Sequence, residues 1–199
     1  MLKQKAVCFD TETTSLNELE AELIGMSFSY KKSLAYYIPL SEKREEVLET
    51  LEIFRPLFEK EEILKVAHNL KFDYKILKRY GIEVQGAIFD TMIAHYLLNP
   101  DGRHGMDYLS EIYLNYKPVS IETLIGKGKN QVTLREVSIE EQTNDAAEDA
   151  DITWQLYELF APQIQKENLQ DLFYKVEMPL MKVLAKMELE GVKKKKNWL

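Results

Sequence analysis

Along the first part of the chain, apolar residues come in short runs separated by charged pairs. Ala6–Phe9, Leu23–Tyr30 and Ser33–Leu40 read as three strands, and the Lys31-Lys32 break before the third predicts a hairpin. From Glu45 to about Phe58 the spacing becomes helical, with Val47, Leu48, Leu51, Phe54 and Leu57 in phase; Pro56 makes this helix kink or restart. A strand over Ile63–Ala67 is followed by a helix over Asn69–Tyr80 that Gly81 stops. Thr91–Leu98 and Met106–Tyr116 are further helices on either side of the turn Asn99-Pro100-Asp101-Gly102, with a less regular stretch to Glu136. Two long helices, Asp145–Gln165 and Leu169–Leu189, follow. Strands first and strand–helix alternation later predict an α/β domain, a mixed sheet with helices packed against it. Residues 193–199, KKKKNWL, depart abruptly from this pattern and are expected to be disordered.

Composition adds limits. With 45% apolar and 30% charged residues, and only 8 Gly and 6 Pro, the chain is not disordered throughout. No apolar run reaches the roughly 18–20 residues of a membrane span. The opening MLKQKAVCFD runs from lysines straight into a strand, without a secretory apolar region, so a cytoplasmic location is expected. The single cysteine, Cys8, excludes an internal disulfide and reads as a small buried strand residue. The net charge of −7 bears directly on function, because proteins that grip a phosphate backbone through Lys and Arg are usually basic. If this chain handles nucleic acid, divalent cations offset its carboxylates, or another part of a larger protein supplies the grip.

Three segments place carboxylates where carboxylates are costly. Asp10 and Glu12 follow the first strand at i and i+2, so they project to one side, where two like charges suit a hard divalent ion. Taken alone, that fragment reads more readily as a polar turn with solvated acids. In Asn69-Leu70-Lys71-Phe72-Asp73, Asp73 shares a helix face with Leu70, Leu77 and Tyr80, and a buried carboxylate needs a partner or a task. Asn69 suits the N-cap of the same helix. In Asp145-Ala146-Ala147-Glu148-Asp149, Asp149 shares a face with Ile152, Leu156 and either Phe160 or Leu159, while Glu148 and Asp151 turn outward. Acids favouring a helix N-terminus explain Asp145 and Glu148 but not Asp149. If Asp10, Glu12, Asp73 and Asp149 converge, they make a metal site suited to phosphate ester hydrolysis.

DTETTSL, NLKFD and AAEDADIT resemble, in this order, the three exonuclease motifs of the DEDD superfamily, in the version found in bacterial family-A DNA polymerase I. GRHGMDYLSEIYL, IGKGKNQVTL and EMPLMKVLAKMELEGV are similar to the connecting segments of the same domain, so the resemblance spans Ala6 to Val192. It implies an RNase H-like fold, with residues 1–175 as a 3′–5′ exonuclease domain and 176–192 as the start of a helix leading into a polymerase domain. It also implies proofreading: removal of nucleoside 5′-monophosphates from single-stranded or frayed DNA 3′ ends by a monomer. Two divalent cations, Mg²⁺ or Mn²⁺, are part of that inheritance. Asp10, Glu12 and Asp149 would hold the first, Asp10 would bridge to the second, and Asp73 would hold the second largely through water. Leu16 would wedge beside the terminal base, and Thr11, His68, Asn69, Phe72 and Arg103 would contact the strand.

Two departures from the family pattern stand out. The family has a water-orienting tyrosine four residues before the last aspartate; here that residue is Asp145, with Asn144 where a sister subfamily has histidine. Asp145 could hold the water through its carboxylate, add unwanted charge, or cap the helix, and slower hydrolysis is expected. Related chains run on past EGV into a polymerase domain, where this one ends in KKKKNWL, as an excised fragment or truncated frame would. A catalytically impaired scaffold that binds DNA ends or only supports a polymerase domain, and an RNA-trimming relative, are the competing readings. His95 and His104 read as structural or exposed and Trp154 as packing; Lys127 and Lys129 suit either phosphate contact or a solvated loop.

Overall fold

The computed structural model describes residues 1–126 and 131–191, which leaves Lys127, Lys129 and the KKKKNWL tail outside the described residues. Its sheet is organised around the strand that carries the first acidic pair. β1 (Ala6–Thr13) is central, antiparallel to β2 (Leu23–Lys31) on one side and parallel to β4 (Leu64–Ala67) on the other. β3 (Leu34–Pro39) and β5 (Ile88–Asp90) form the edges, giving the order β3-β2-β1-β4-β5. This mixed five-stranded sheet flanked by helices is the expected α/β, RNase H-like architecture.

Alternation along β1 decides what meets on each face. Phe9 and Thr11 point to the side covered by α1 (Arg44–Glu59) and α2 (Leu70–Arg79): Phe9 meets Phe58 edge-on, with ring centroids 5.1 Å apart, and Thr11 bonds to Asp73. Cys8, Asp10 and Glu12 point to the other side, where α6 (Ile139–Lys166) crosses β1, β2, β3 and β4. The remaining helices are α3 (Thr91–Leu98), α4 (Met106–Leu109), α5 (Ile121–Ile125), α7 (Gln170–Leu172) and α8 (Met178–Glu190).

Several boundaries differ from the sequence reading, each for a local reason. β1 continues through Glu12 to Thr13 because β2 pairs with it along that length. α1 passes through Pro56 without a restart. α6 begins at Ile139, six residues before Asp145, because Ser138 accepts the Glu141 N–H and donates its hydroxyl to Glu141 Oε2 at 2.6 Å. The expected Met106–Tyr116 helix is α4 continued by a π-helical turn, Ser110–Leu114; a second such turn, Phe173–Glu177, joins α7 to α8. β5, three residues long, was not expected. Asn69 does not cap α2: it sits in the left-handed region at φ 58° and makes no side-chain capping bond.

Candidate metal centre and its cleft

The i, i+2 geometry of β1 brings Asp10 and Glu12 to the face that α6 crosses, and the third turn of α6 brings Asp149 to meet them. One carboxylate oxygen from each of the three lies within 4.8 Å of the others. Glu12 Oε1 is buried without a hydrogen-bond partner, an orphaned acceptor of the kind a cation satisfies. Three oxygen donors of this type suit a hard divalent ion such as Mg²⁺ or Mn²⁺.

Asp73 arrives from the opposite layer and stands beside this group rather than within it. It is 2% exposed, and its Oδ1 accepts the Thr11 N–H at 3.1 Å and the Thr11 hydroxyl at 2.5 Å. Thr11 thus ties Asp73 to the strand between Asp10 and Glu12. The helical stripe read from the sequence is real: Leu70, Asp73, Leu77 and Tyr80 are all buried.

Electrostatics describe a group of acids waiting for positive charge. Burial raises Asp10 to about 7, against the Thr11 N–H, which lowers it, and with the Asp145 charge raising it further. Burial likewise pushes Glu12, Asp73 and Asp149 well above the usual carboxylate range, and in each the nearby Asp10 adds to the shift. Asp145, itself buried, is raised to about 6 by burial and then by Glu148 and Asp107. It lies well inside α6, so it does not cap the helix, and the macrodipole account of Asp145 and Glu148 falls with it: the first-turn acids are Glu140 and Glu141. Glu148 accepts the Tyr116 hydroxyl and the Val119 N–H, the latter at 2.9 Å.

A cleft of about 880 Å³ opens over the carboxylates. Thr11, Leu16, His68, Asn69, Phe72 and Asp145 line it together with Asp10, Glu12, Asp73 and Asp149. Leu16 stands at the rim, 89% exposed. Arg103 is exposed and is not among the lining side chains. Sequence reasoning missed the apolar lining contributed by Val119, Ile121, Ile125 and Val132; the i, i+4 pair Ile121 and Ile125 was the available signal. It also missed that His95 and His104 touch, Nδ1 to Nδ1 at 2.7 Å, with Tyr113 on His95 Nε2.

Residues 1–165 match the family model of the 3′–5′ exonuclease of family-A DNA polymerases. The chain belongs to the DNA polymerase I 3′–5′ exonuclease family. Among its relatives in this family, DNA polymerase I of Borreliella burgdorferi is 38% identical over 200 residues, covering 99% of this chain and 22% of that protein. DNA polymerase I of Rhizobium leguminosarum is 39% identical over 210 residues, covering 94% of this chain and 21% of that protein. The exonuclease chain therefore spans about a fifth of the length of the curated relatives it matches. In fold it is similar to Brucella melitensis NrnC, with a TM-score of 0.77 at 19% identity over 96% of this chain and 87% of that one. A Mg²⁺-bound structure of NrnC superposes with a TM-score of 0.76, at 19% identity over 100% of this chain and 92% of that one.

Proposed function

We propose that this exonuclease domain is catalytically competent and removes nucleoside 5′-monophosphates from single-stranded or frayed DNA 3′ ends, as the proofreading unit of a larger polymerase. The observation that carries the reading is the meeting of Asp10, Glu12 and Asp149 oxygens at the floor of an open cleft, with Glu12 Oε1 left unpartnered. Asp10, Glu12 and Asp149 would hold one divalent cation, and Asp10 and Asp73 a second. Such ions, when bound, supply a water of lowered pKa and stabilise charge on the leaving 3′ oxygen. Mg²⁺ in the similarly folded NrnC agrees with that choice of metal.

The chain's own side chains do the rest. Thr11 fixes Asp73 through two hydrogen bonds, so the fourth carboxylate keeps its place relative to Asp10. Leu16, Phe72, Ile121 and Val132 give the cleft an apolar lining beside the carboxylates, suited to a stacked terminal base. Asn69 and His68 add polar contacts beside it. The −7 charge leaves the grip on duplex DNA to the neighbouring polymerase domain. Asp145 favours one qualification of rate: its buried charge next to Asp149 and Glu12 slows the chemistry relative to a tyrosine.

The test uses a 5′-labelled single-stranded oligonucleotide with Mg²⁺ or Mn²⁺. Stepwise shortening is expected, abolished by chelator. Asp149→Ala or Asp73→Ala should lower the rate by more than the roughly 10–100-fold typical of groups outside the metal's own ligands. A folded wild-type chain that leaves the oligonucleotide intact at saturating Mn²⁺ would refute catalytic competence and point to an end-binding scaffold.

A further inference from the structure

Asp90, the last residue of β5, has no place in the chemistry just described, yet it is among the most enclosed charged groups of the molecule at 1% exposed. Its carboxylate faces four backbone N–H groups from two helices. Oδ1 accepts from Met92 at 2.9 Å and Ile93 at 3.2 Å, at the start of α3, and from Asn69 at 3.2 Å. Oδ2 accepts from Leu70 at 2.8 Å, the first residue of α2. An ordinary N-cap serves one helix; this one serves its own helix and the N-terminus of another. The neighbouring Thr91 continues the link, with its hydroxyl 2.8 Å from His68 Nδ1 and 3.3 Å from the Ala67 carbonyl.

The first turn of α2 carries Asn69, Phe72 and Asp73, all of which line the cleft. Asn69 holds a left-handed backbone at φ 58°, ψ 45°, which costs energy even for asparagine and persists only where neighbours impose it. Its N–H is one of the four that Asp90 takes. Because α2 is rigid, the bonds that fix residues 69 and 70 also fix the rotation and height of Asp73, one turn further on. We infer that Asp90 is a positioning residue for the exonuclease site: it sets the start of α2 against β5 and so places Asp73, Phe72 and Asn69 over the cleft. This rests on the nuclease reading for the identity of what is positioned, although not for the bonds themselves.

Two variants separate positioning from folding. Asp90→Asn keeps one oxygen, which three N–H groups on the Oδ1 side will claim, and turns its amide toward Leu70 N–H, donor against donor. Asp90→Ser still caps α3 through its hydroxyl but is too short to reach Asn69 and Leu70. In both, amide exchange at Leu70 should quicken; in Asp90→Ser it should quicken at Asn69 as well, while Met92 and Ile93 stay protected. The Mn²⁺ concentration for half-maximal shortening should rise roughly 10–100-fold, as for other groups that orient a metal ligand, with Mn²⁺ affinity by calorimetry moving in parallel. Thr91→Val, which spares the Asp90 bonds, should leave that Mn²⁺ dependence within about twofold, far below the roughly 10–100-fold expected of the Asp90 variants. If wild type does not cut DNA, the nuclease reading fails, and exchange and calorimetry still decide the role of Asp90. A folded variant with unchanged Leu70 exchange and unchanged Mn²⁺ affinity overturns the inference. So does failure of both variants to fold in the presence of Mn²⁺, which would make Asp90 a determinant of folding alone.

Discussion

Asp145 and Asp149 lie one turn apart on α6, and both side chains reach the same cleft. The charge on Asp145 raises Asp10, Glu12 and Asp149, so removing it makes those groups easier to ionise. Asp145→Asn should therefore shift the acidic limb of the pH–rate profile to lower pH, a direction that a purely structural role would not produce. Asp145→Tyr should in addition raise the rate at neutral pH several-fold; a tenfold gain would correspond to about 1.4 kcal/mol of barrier. An unchanged rate would mean that the carboxylate already orients the water. At this scale the sequence was informative wherever a side chain broke its local pattern. Asp73 declared itself as an acid on a stripe with Leu70, Leu77 and Tyr80, all of them buried. Asp90 did not, because two of the N–H groups it serves, those of Asn69 and Leu70, are brought near only by the fold. The His95–His104 contact was hidden for the same reason, since the turn between them brings together rings that no fixed spacing would pair.

Among the elements, β2, β3 and α6 meet at a close approach that a single atom controls. Tyr37 of β3 leans over Gly25 of β2 and donates its hydroxyl to Gln142 Oε1 of α6 at 3.0 Å. A Cβ on Gly25 would overlap the Tyr37 ring and hydroxyl. Gly25→Ala should thus cost about 1–3 kcal/mol, the usual range for overpacking, read as a lower denaturation midpoint at constant m-value. Tyr37→Phe, which loses only the hydrogen bond, should cost about 0.5–1.5 kcal/mol. Long, strongly periodic elements were legible: α1 and α2 lie within one or two residues of their expected ranges. The start of α6 could also have been read, since Ser138-x-x-Glu141 is a capping pattern. β5 could not. A three-residue strand offers no period, and only its pairing with β4 defines it. The π-helical turns at Ser110–Leu114 and Phe173–Glu177 were equally invisible, because a single wide turn shifts the apolar register by only about one residue, too little to stand out from the pattern.

For the molecule as a whole, the buried acids link stability to pH and to metal. Asp10 and Asp145 move from the ordinary 3.8 up to about 7 and about 6 in the folded state. Between those limits the folded chain binds more protons than the unfolded one, so stability falls as pH rises. In chelator, the contribution of these groups is fully present below about pH 4 and is lost as pH passes through 6 to 7. Divalent cation should reverse the trend, since it binds the ionised form. Thermal melts should therefore show a larger gain on adding Mn²⁺ at pH 8 than at pH 5.5. Each kcal/mol of that gain corresponds to about 2–4 °C for a chain of this size. Equal gains at both pH values would mean that the ion is held elsewhere.

The cleft takes its carboxylates from β1, α2 and α6, which lie far apart along the chain. During synthesis, the strand bearing Asp10 and Glu12 leaves the ribosome first, and the turn of helix bearing Asp149 follows only after most of the sheet has been made. A nascent chain released before that point lacks Asp149, one of the three carboxylates whose oxygens meet. Incomplete translation products should accordingly leave DNA ends untouched, a safeguard that follows from chain order alone.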